Sequence, residues 1–557
     1  MPSAIARLIS EPRLERMLAF NHEREAILAD TIERCVNERL AAAAKRPGRG
    51  LEIELNDVCY HEDRRFRTGG RLSDEDKQLR ARFSRVRKGL RRMSDDELRD
   101  VLRELAGWYA EDVVGNFNPS VFAFATRLLP VGLSLFFSPV RLGRSLDDLG
   151  QLRERILIEG QTADLVRLSR RATLVFVPTH QSNMDSVVVG FALERTGLPP
   201  ATYGAGKNLF DNPLLAFFMR NLGAYRVDRR IQHDLYKDVL KTYSTVLLER
   251  GYHSLFFPGG TRSRSGAIEQ KLKLGLAGTA LDATINLLRR GHGDYRCANG
   301  GAPSRPIYFV PTTLNYHLVL EAATLIDDYL KEAGKSRYII EDDESTRLAR
   351  VARYFSDMLR SEESMTIHFG EPLDVLGHRV SPDGVAHDDR GRPVDLRAFL
   401  TVDGEIRADH ARDAEYTREL GERIAVQFKR DTYVLSTHLV AYALFRMLMK
   451  RSPAGADLFH VLRGADQGEL PTNEVLETIG RLRDALREQE ARCLVRLGAK
   501  VEHASPEALL DEALSFFSLF HARPVARREG AGIAVEDRAL CYYYHNRLIA
   551  YGLEGVA

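Results

Sequence analysis

A histidine and an aspartate five residues apart, His180 and Asp185, form the first pair of side chains whose types and spacing suit chemistry. They follow the apolar run Thr173 to Pro178 and precede another that begins at Val187. Where a strand ends and a helix opens, both side chains would lie in one exposed turn. A carboxylate behind an imidazole fixes the ring's tautomer and stabilises the imidazolium, so such a pair can remove a hydroxyl proton. The spacing alone is weak evidence, because a single histidine is more often structural than catalytic.

A glycine-rich basic segment, GGTRSRSG at residues 259–266, is typical of a site that binds phosphate. Glycines let the backbone approach a ligand, hydroxyl and amide groups donate, and two arginines can hold phosphate oxygens in pairs. The plainer interpretation is a solvated basic turn. The GxxxxGK[ST] spacing of a P-loop is missing, which disfavours nucleoside triphosphate chemistry. The candidate residues of this segment, with a lysine shortly after it, are Gly259, Gly260, Thr261, Arg262, Arg264 and Lys273.

Positive charge also gathers between these two motifs. Lys207 lies in the segment AGKNL, and Arg229 lies in the segment YRVDRR. Asp228, beside Arg229, must pair with a neighbouring cation or face water. Some of these cations are expected to be solvated surface.

A polar segment, PTTLNY, runs from Pro311 to Tyr316, with Glu321 shortly after it. It follows an apolar strand and offers a hydroxyl-bearing wall to a ligand. Taken by itself, the segment is more simply interpreted as a loop with a tyrosine in the core.

The elements that must position these residues are short apolar strands alternating with helices. Runs rich in β-branched residues and bounded by turn signals predict strands. Helices of ten or more residues between such strands indicate an α/β fold, in which loops at strand ends carry the chemistry. The predicted strands lie at Thr173 to Pro178, His253 to Phe257, Pro306 to Pro311 and Met365 to Phe369.

Four regions are predicted along the chain. Ser94 and Glu97 are placed as a capping box that opens a helix near the N-terminal end. Pro, Gly and Asp signals after Glu371 indicate an insert or a small hairpin. The regions are an N-terminal helical region at 1–149, an α/β domain at 150–375, a turn-rich insert at 376–410 and a C-terminal helical region at 411–557.

Composition limits the class of protein. The 557 residues include 80 basic and 78 acidic ones, so the net charge of +2 provides no global field for gathering nucleic acid. The five cysteines are scattered without CxxC spacing, which fits a reducing cytoplasm and no zinc site. No signal peptide is predicted. The most apolar stretch, Val121 to Val140, is interrupted by Arg127 and Pro130, so it is either a buried helix or a surface that enters one membrane leaflet.

The order of these motifs resembles the four sequence blocks of the glycerolipid acyltransferase superfamily. The resemblance covers roughly Val113 to Glu371. It is greatest to the long glycerol-3-phosphate acyltransferases, in the segments AGKNL, GTRSRSG and PTTLNYHLVLE. Two departures stand out: Gly259 replaces the acidic residue that the family usually has, and Arg226-Val-Asp-Arg replaces an expected arginine pair.

What the resemblance implies is an α/β acyltransferase core, a mixed twisted sheet with helices on its faces, flanked by N- and C-terminal helical regions. It also implies roles for individual residues. They are a catalytic pair of His180 and Asp185, phosphate ligands at Arg229, Arg262 and Arg264, and Lys207 matching a lysine that lysophosphatidate acyltransferases use toward phosphate.

The predicted reaction transfers a fatty acyl group from acyl-CoA or acyl carrier protein to the sn-1 hydroxyl of glycerol 3-phosphate. The product would be lysophosphatidate, the first intermediate of phospholipid synthesis, and no metal or cofactor is required. Backbone amides between Gly259 and Thr261 are candidate oxyanion donors.

Two alternatives stay open. In the first, the acceptor is lysophosphatidate or dihydroxyacetone phosphate. In the second, the protein is an inactive lipid-binding scaffold, because a fold alone never proves activity. A peripheral or monotopic place on the cytoplasmic face of the inner membrane is expected, with no nucleic-acid partner.

Overall fold

A seven-stranded mixed sheet lies at the centre of the computed structural model, in the order β1-β7-β6-β2-β5-β3-β4. The structure describes residues 11–45, 48, 50–68, 74–125, 156–210, 213–290, 305–334, 365–464, 468–519 and 521–557. The strands are β1 Ile156–Gly160, β2 Thr173–Pro178, β3 Thr202–Gly206, β4 Ala224–Val227, β5 Ser254–Leu255, β6 Ile307–Tyr316 and β7 Met365–Phe369.

The predicted α/β fold is confirmed. Strands β2, β3, β4 and β5 are parallel, and the first half of β6 runs parallel to β2. All six residues of β2 are buried, as expected for a parallel strand covered on both faces by helices. Since the carboxyl ends of parallel strands meet at one edge of the sheet, the loops after these strands lie side by side there. The helices of this region are α5 Thr162–Ser169, α6 Asp185–Thr196, α7 Pro213–Asn221, α8 Asp234–Glu249, α9 Ala277–Arg289 and α10 Ala322–Gly334.

Strand β6 is longer than predicted, because the segment Pro311 to Tyr316 is part of the strand and not a loop after it. Residues 307–312 pair with β2, whereas residues 312–316 pair with β7 in the antiparallel direction. Pro311 has no N–H to donate, and it lies next to the residue where the strand changes partner. The exchange of partners keeps all ten residues of β6 buried.

The N-terminal region consists of helices that pack on the sheet domain. The predicted capping box is present: Ser94 accepts from the Glu97 backbone, and the Glu97 carboxylate accepts from the Ser94 backbone at 2.7 Å. Residues such as Phe20 and Tyr109 share a hydrophobic core with Val239 of α8. The helices are α1 Phe20–Ala44, α2 Gly50–Thr68, α3 Asp74–Gly89 and α4 Asp95–Val113, with short turns at Pro12–Leu14, Glu15–Leu18 and Leu90–Arg92.

The C-terminal region is built around one buried helix. Residues 439–445 of α12 have no exposed surface, because neighbouring helices surround it. Besides these helices, which agree with the prediction of a mainly helical region, it contains a small sheet in the order Leu470–Pro471 (β13), Gly532–Val535 (β16), Ala526–Glu529 (β15). The helices are α11 His410–Arg430, α12 Ser436–Arg451, α13 Thr472–Ala491, α14 Pro506–Phe517 and α15 Arg538–His545, with shorter ones at Leu458–Arg463, Ala499–His503 and Asn546–Tyr551.

The turn-rich segment forms two short antiparallel hairpins. Their strands are β8 Arg379–Val380 with β9 Ala386–His387, and β10 Thr401–Val402 with β11 Glu405–Ile406; a helix, Leu396–Leu400, lies between them. The remaining strands are β12 Tyr433–Val434, β13 Leu470–Pro471, β14 Arg496–Leu497, β15 Ala526–Glu529 and β16 Gly532–Val535.

Within the described part of the chain, no helix is both long enough and apolar enough to span a bilayer. From residue 126 onward, the apolar stretch Val121 to Val140 lies outside the described residues.

Candidate active site

His180 and Asp185 meet in the turn between β2 and α6, which we call the His180 turn (residues 179–185). The Nδ1 atom of His180 lies 2.8 Å from Oδ2 of Asp185. The Asp185 side chain is fully buried, while 16% of the His180 side chain is exposed. The imidazole also stacks on Phe257 of the neighbouring loop, with ring centroids 4.2 Å apart. With Nδ1 engaged by the carboxylate, Nε2 is the ring nitrogen that can receive a substrate proton.

The Asp185 carboxylate is held in place by further donors. Oδ2 accepts from the backbone N–H groups of Gln181 at 2.6 Å and Ser182 at 2.9 Å. Oδ1 accepts from the hydroxyl of Tyr316 at 2.6 Å. The sequence predicts that Tyr316 is part of a polar wall that faces the acceptor. In the structure its hydroxyl instead lies on Asp185, and only 4% of the residue is exposed. Pro311 is buried within β6.

A second histidine–aspartate pair shows that a hydrogen bond between these two residue types is not sufficient evidence of a catalytic site. Nδ1 of His378 lies 2.9 Å from Oδ2 of Asp374 in the turn-rich segment, and this hydrogen bond raises the pKa of His378. What distinguishes the His180 turn is the basic loop beside it.

The basic loop, residues 259–269, docks directly on the His180 turn. The backbone N–H of Ser263 donates to the carbonyl of His180 at 2.7 Å. Arg262 is 27% exposed at its side chain, and its Nη1 lies 3.4 Å from Oε1 of Glu321. Glu321 in turn accepts from the Ser182 hydroxyl and the Asn183 backbone, both at 3.0 Å. Burial raises the pKa of Glu321. Arg262 is therefore positioned beside the His–Asp pair with a partly exposed guanidinium.

One acidic residue of this site carried no sequence signal. Glu269 accepts from the His180 backbone N–H at 2.7 Å. A Cβ on Gly259 would lie 3.3 Å from the Cγ and the Oε1 of Glu269. Position 259 is the one at which the resemblance implies an acidic residue, so here a carboxylate reaches the same space from ten residues later in the chain.

An open cavity of about 290 Å³ lies over the basic loop. Its charged lining is mixed, with cations from three side chains and carboxylates from two. Arg264 forms an exposed ion pair with Glu332 at 2.6 Å, a kind of pair that contributes little and can open for a ligand. The charged lining residues are Arg262, Arg264, Lys271, Glu269 and Glu332.

Two predicted residues of the loop have structural contacts. Gly260 has a φ of +73°, a left-handed conformation that favours glycine, and it lies beneath the side chain of Lys273. The backbone N–H of Gly260 donates to the carbonyl of Phe257 at 3.0 Å, so this amide is not available to an oxyanion. The amides of Gly259 and Thr261 remain candidate oxyanion donors.

Lys207 and Arg229 belong to a neighbouring cluster at the edge of the sheet. Adjacent strands are about 4.8 Å apart, so the ends of β3 and β4 lie about 10 and 14 Å from the end of β2. Lys207 Nζ lies 3.4 Å from Oδ2 of the buried Asp228, which also binds Arg230 at 3.1 Å. Burial opposes the ionisation of Asp228, but the bonds from Arg230 and the charge of Lys207 outweigh it and lower its pKa. Arg229 itself is exposed.

Comparisons with known proteins indicate the class of protein to which this chain is similar. Residues 161–313, which contain both the His180 turn and the basic loop, match the family model named Acyltransferase. The predicted resemblance is thereby confirmed: over part of its length the chain is similar to acyltransferases, among them proteins named glycerol-3-phosphate acyltransferase.

Two similar proteins are named glycerol-3-phosphate acyltransferase. The glycerol-3-phosphate acyltransferase of Pseudomonas fluorescens (strain Pf0-1) is 25% identical over 332 residues, 59% of this chain and 34% of that protein. The protein of the same name from Pseudomonas aeruginosa (strain LESB58) is 26% identical over 278 residues, 49% of this chain and 28% of that protein. The match thus spans about a third of the length of these relatives.

A solved structure is also similar, the 1-acyl-sn-glycerophosphate acyltransferase PlsC from Thermotoga maritima. It is 13% identical, with a TM-score of 0.24, over 55% of this chain and 92% of that one.

Proposed function

We propose that this protein transfers a fatty acyl group from a thioester, acyl-CoA or acyl carrier protein, to the sn-1 hydroxyl of glycerol 3-phosphate. The observation that carries the proposal is the 2.8 Å contact of His180 with Asp185, in a turn onto which the Arg262 loop docks. The names of the relatives support the choice of acceptor. No other co-substrate or cofactor enters the reaction.

The proton path follows from this geometry. Nε2 of His180 takes the proton of the acceptor hydroxyl as its oxygen attacks the thioester carbonyl. The Asp185 carboxylate stabilises the imidazolium that results. When the tetrahedral intermediate collapses, the carbon–sulfur bond breaks and the imidazolium returns its proton to the departing thiolate. Developing charge on the carbonyl oxygen would meet the amides of Gly259 or Thr261.

The acceptor phosphate is proposed to bind over the basic loop. Arg262 and Arg264 are the predicted ligands beside the His180 turn, and Lys273 shields the loop's backbone. Holding the phosphate fixes the hydroxyl within attack distance, which supplies much of the rate. Lys207 and Arg229 remain proposed ligands for anionic groups at the adjacent edge of the sheet.

Transfer of labelled acyl groups to each acceptor tests this function. Purified protein is given one acyl donor with glycerol 3-phosphate, lysophosphatidate or dihydroxyacetone phosphate. We expect the highest kcat/KM for glycerol 3-phosphate, because a small acceptor without an acyl chain must be held by its phosphate and hydroxyls. A higher value for lysophosphatidate would change the acceptor and keep the acyltransferase. Transfer to none of the three, with either donor, would favour the scaffold alternative.

Replacement of Arg262 by alanine is expected to lower kcat/KM for the acceptor by about 10- to 100-fold, the equivalent of one lost charged hydrogen-bonded contact. The KM for the acyl donor should change by less than about twofold, because the lost contact acts on the acceptor alone. Two Michaelis curves, one for each substrate, measure this.

Arg262→Lys is the matched control, since it keeps a charge opposite Glu321 and removes only the bidentate geometry. It should fall between wild type and alanine. If only the donor curve moves in Arg262→Ala, the loop binds the phosphates of the acyl carrier instead.

A peripheral place on the cytoplasmic face of the inner membrane is part of the proposal. Phe124 and Phe217 are 54% and 50% exposed, and both contact the ring of Phe218. An exposed aromatic cluster of this kind suits insertion into one leaflet. Phe124 itself belongs to the N-terminal part of the apolar stretch Val121 to Val140.

The double change Phe124→Ser and Phe217→Ser is expected to weaken binding to anionic liposomes by about tenfold or more, given what burial of two aromatic side chains contributes. Sedimentation with liposomes measures it. Phe399→Ser, which alters another exposed phenylalanine in the turn-rich segment, should bind like wild type. Equal binding by the double variant would remove this surface from the proposal.

A further inference from the structure

The carboxylate of Glu269 lies at the centre of the active site without belonging to any predicted motif. Its Oε1 accepts from the backbone N–H of His180 at 2.7 Å. Among the described residues, its Oε2 has no hydrogen-bond partner. Burial raises the pKa of Glu269, against the effects of the His180 backbone and of the Arg547 charge. A carboxylate in such surroundings needs a cation to remain charged.

Arg547 is a buried cation beside the same turn, and it comes from the other end of the chain. Only 2% of this residue is exposed. Nη2 donates to the carbonyl of Leu314 at 3.1 Å and to Oδ1 of Asn315 at 3.2 Å. Its Nε and Nη1 are buried without a hydrogen-bond partner among the described residues. Burial lowers the pKa of Arg547, and Glu269 is the carboxylate that opposes this most strongly.

Arg547 also shares a hydrogen-bond acceptor with Gln181 of the His180 turn. The carbonyl of Leu314, which accepts from Arg547, accepts from the side-chain amide of Gln181 as well. Gln181 supplies one of the backbone donors to Asp185. The guanidinium of Arg547 is therefore linked to the His180 turn through the Leu314 carbonyl.

The segment that carries Arg547 is attached directly to the basic loop. The side-chain amide of Asn546 donates to the carbonyl of Ser265 at 2.9 Å. Gly266 has a φ of +80°, and a Cβ there would lie 2.2 Å from the carbonyl oxygen of Tyr543. The close approach of α15 to the loop thus requires glycine at this position. All of these C-terminal residues lie outside the stretch that matches the acyltransferase family, 161–313.

We propose that Glu269 and Arg547 are positioning residues of the active site. Glu269 fixes the backbone of His180, and Arg547 fixes Gln181 through the Leu314 carbonyl to which both donate. The C-terminal region is then part of the catalytic apparatus and not only a flank. The inference rests on the proposed function where activity is the readout, so a second readout independent of turnover is needed.

The variants Glu269→Gln, Arg547→Met and Arg547→Lys separate charge from shape. Gln can still accept the His180 N–H, whereas Met fills much of the arginine's volume without charge. We expect Arg547→Met to lower kcat by about 10- to 100-fold, as for a small displacement of a catalytic group, with acceptor KM within about threefold. Arg547→Lys should recover most of that loss. The double variant Glu269→Gln with Arg547→Met should lose less than the product of the two single losses, because both residues hold the same turn.

Hydrogen exchange at the His180 amide is the second readout, measured by NMR or on a short peptide by mass spectrometry. We expect faster exchange in Arg547→Met and in Glu269→Ala, with unchanged exchange in α12. Arg538→Met is the matched control: it removes an arginine of α15 that donates to the carbonyl of Val461 at 2.8 Å, away from the site. It should leave exchange at His180 unchanged.

Several outcomes would overturn the inference. Unchanged kcat and His180 exchange in folded Arg547→Met is one, and losses in the double variant that multiply those of the singles is another. If Arg547→Met lowered the melting temperature but kept full kcat at temperatures where the variant is folded, Arg547 would have only a structural role. If the wild-type protein transfers no acyl group to any acceptor, the proposed function fails, while exchange at His180 still decides whether the pair braces this turn.

Discussion

His180→Ala is expected to lower kcat by about 10²–10⁴-fold, the usual contribution of a positioned general base. The alanine variant loses the only ring nitrogen that the turn presents to a substrate, while the Asp185 carboxylate keeps its bonds from Gln181, Ser182 and Tyr316. The fold should therefore be intact, which circular dichroism and thermal unfolding check. Single-turnover acyl transfer measures the chemical step.

His378→Ala is a matched control for that experiment. It removes the histidine of a second His–Asp pair, with an Nδ1 to Oδ2 distance of 2.9 Å against 2.8 Å at the site. Its activity should equal that of wild type. If His180→Ala retained full turnover, the assignment of the general base would be wrong, whatever the family relationship.

Asp185→Asn is expected to lower kcat by about 10²-fold, less than the ~10⁴-fold loss of a triad in which the neutral residue also reverses the histidine tautomer. Two backbone N–H groups, from Gln181 and Ser182, point at Oδ2. They force the asparagine oxygen, not its NH₂, to face His180, so the ring keeps its tautomer and its place. The loss would then report the missing negative charge opposite the imidazolium. Rapid-quench measurement of acyl transfer at saturating substrates gives the comparison.

Tyr316→Phe provides the control for this prediction. It removes the 2.6 Å bond to Oδ1 but leaves the charge and the two backbone donors. We expect about a tenfold loss, the lower end of what one hydrogen bond to a charged group contributes. Near-normal turnover in Asp185→Asn would make Asp185 a structural residue, and an equal loss in Tyr316→Phe would mean that orientation matters more than charge.

Local patterns were sufficient for part of the site. The β-branched run before His180 marks a strand, and the five-residue spacing to Asp185 places both groups in one turn, because such a turn is too short to separate them. The capping box at Ser94 and the strand Met365–Phe369 were likewise read from neighbouring residues. The order of the motifs further predicted the similarity to acyltransferases.

Long-range contacts were not predictable in this way. Glu269 contacts His180 across 89 residues of sequence, and Tyr316 contacts Asp185 across 131. Arg547 reaches Leu314 across 233 residues. Nothing in the spacing of such residues distinguishes them from other carboxylates, tyrosines or arginines, because strand order and helix docking decide which of them meet.

Local patterns thus predict the α/β class, the His180 turn and the basic loop, since each depends on residues that are close along the chain. The distance of Lys207 and Arg229 from that turn depends on the tertiary structure, because β5 inserts between β2 and β3. The same holds for the bond from Tyr316 to Asp185, since β6 pairs first with β2 and then, from Thr312 onward, with β7. It also holds for Arg547, because the burial of α12 and α15 docks the C-terminal segment on the basic loop.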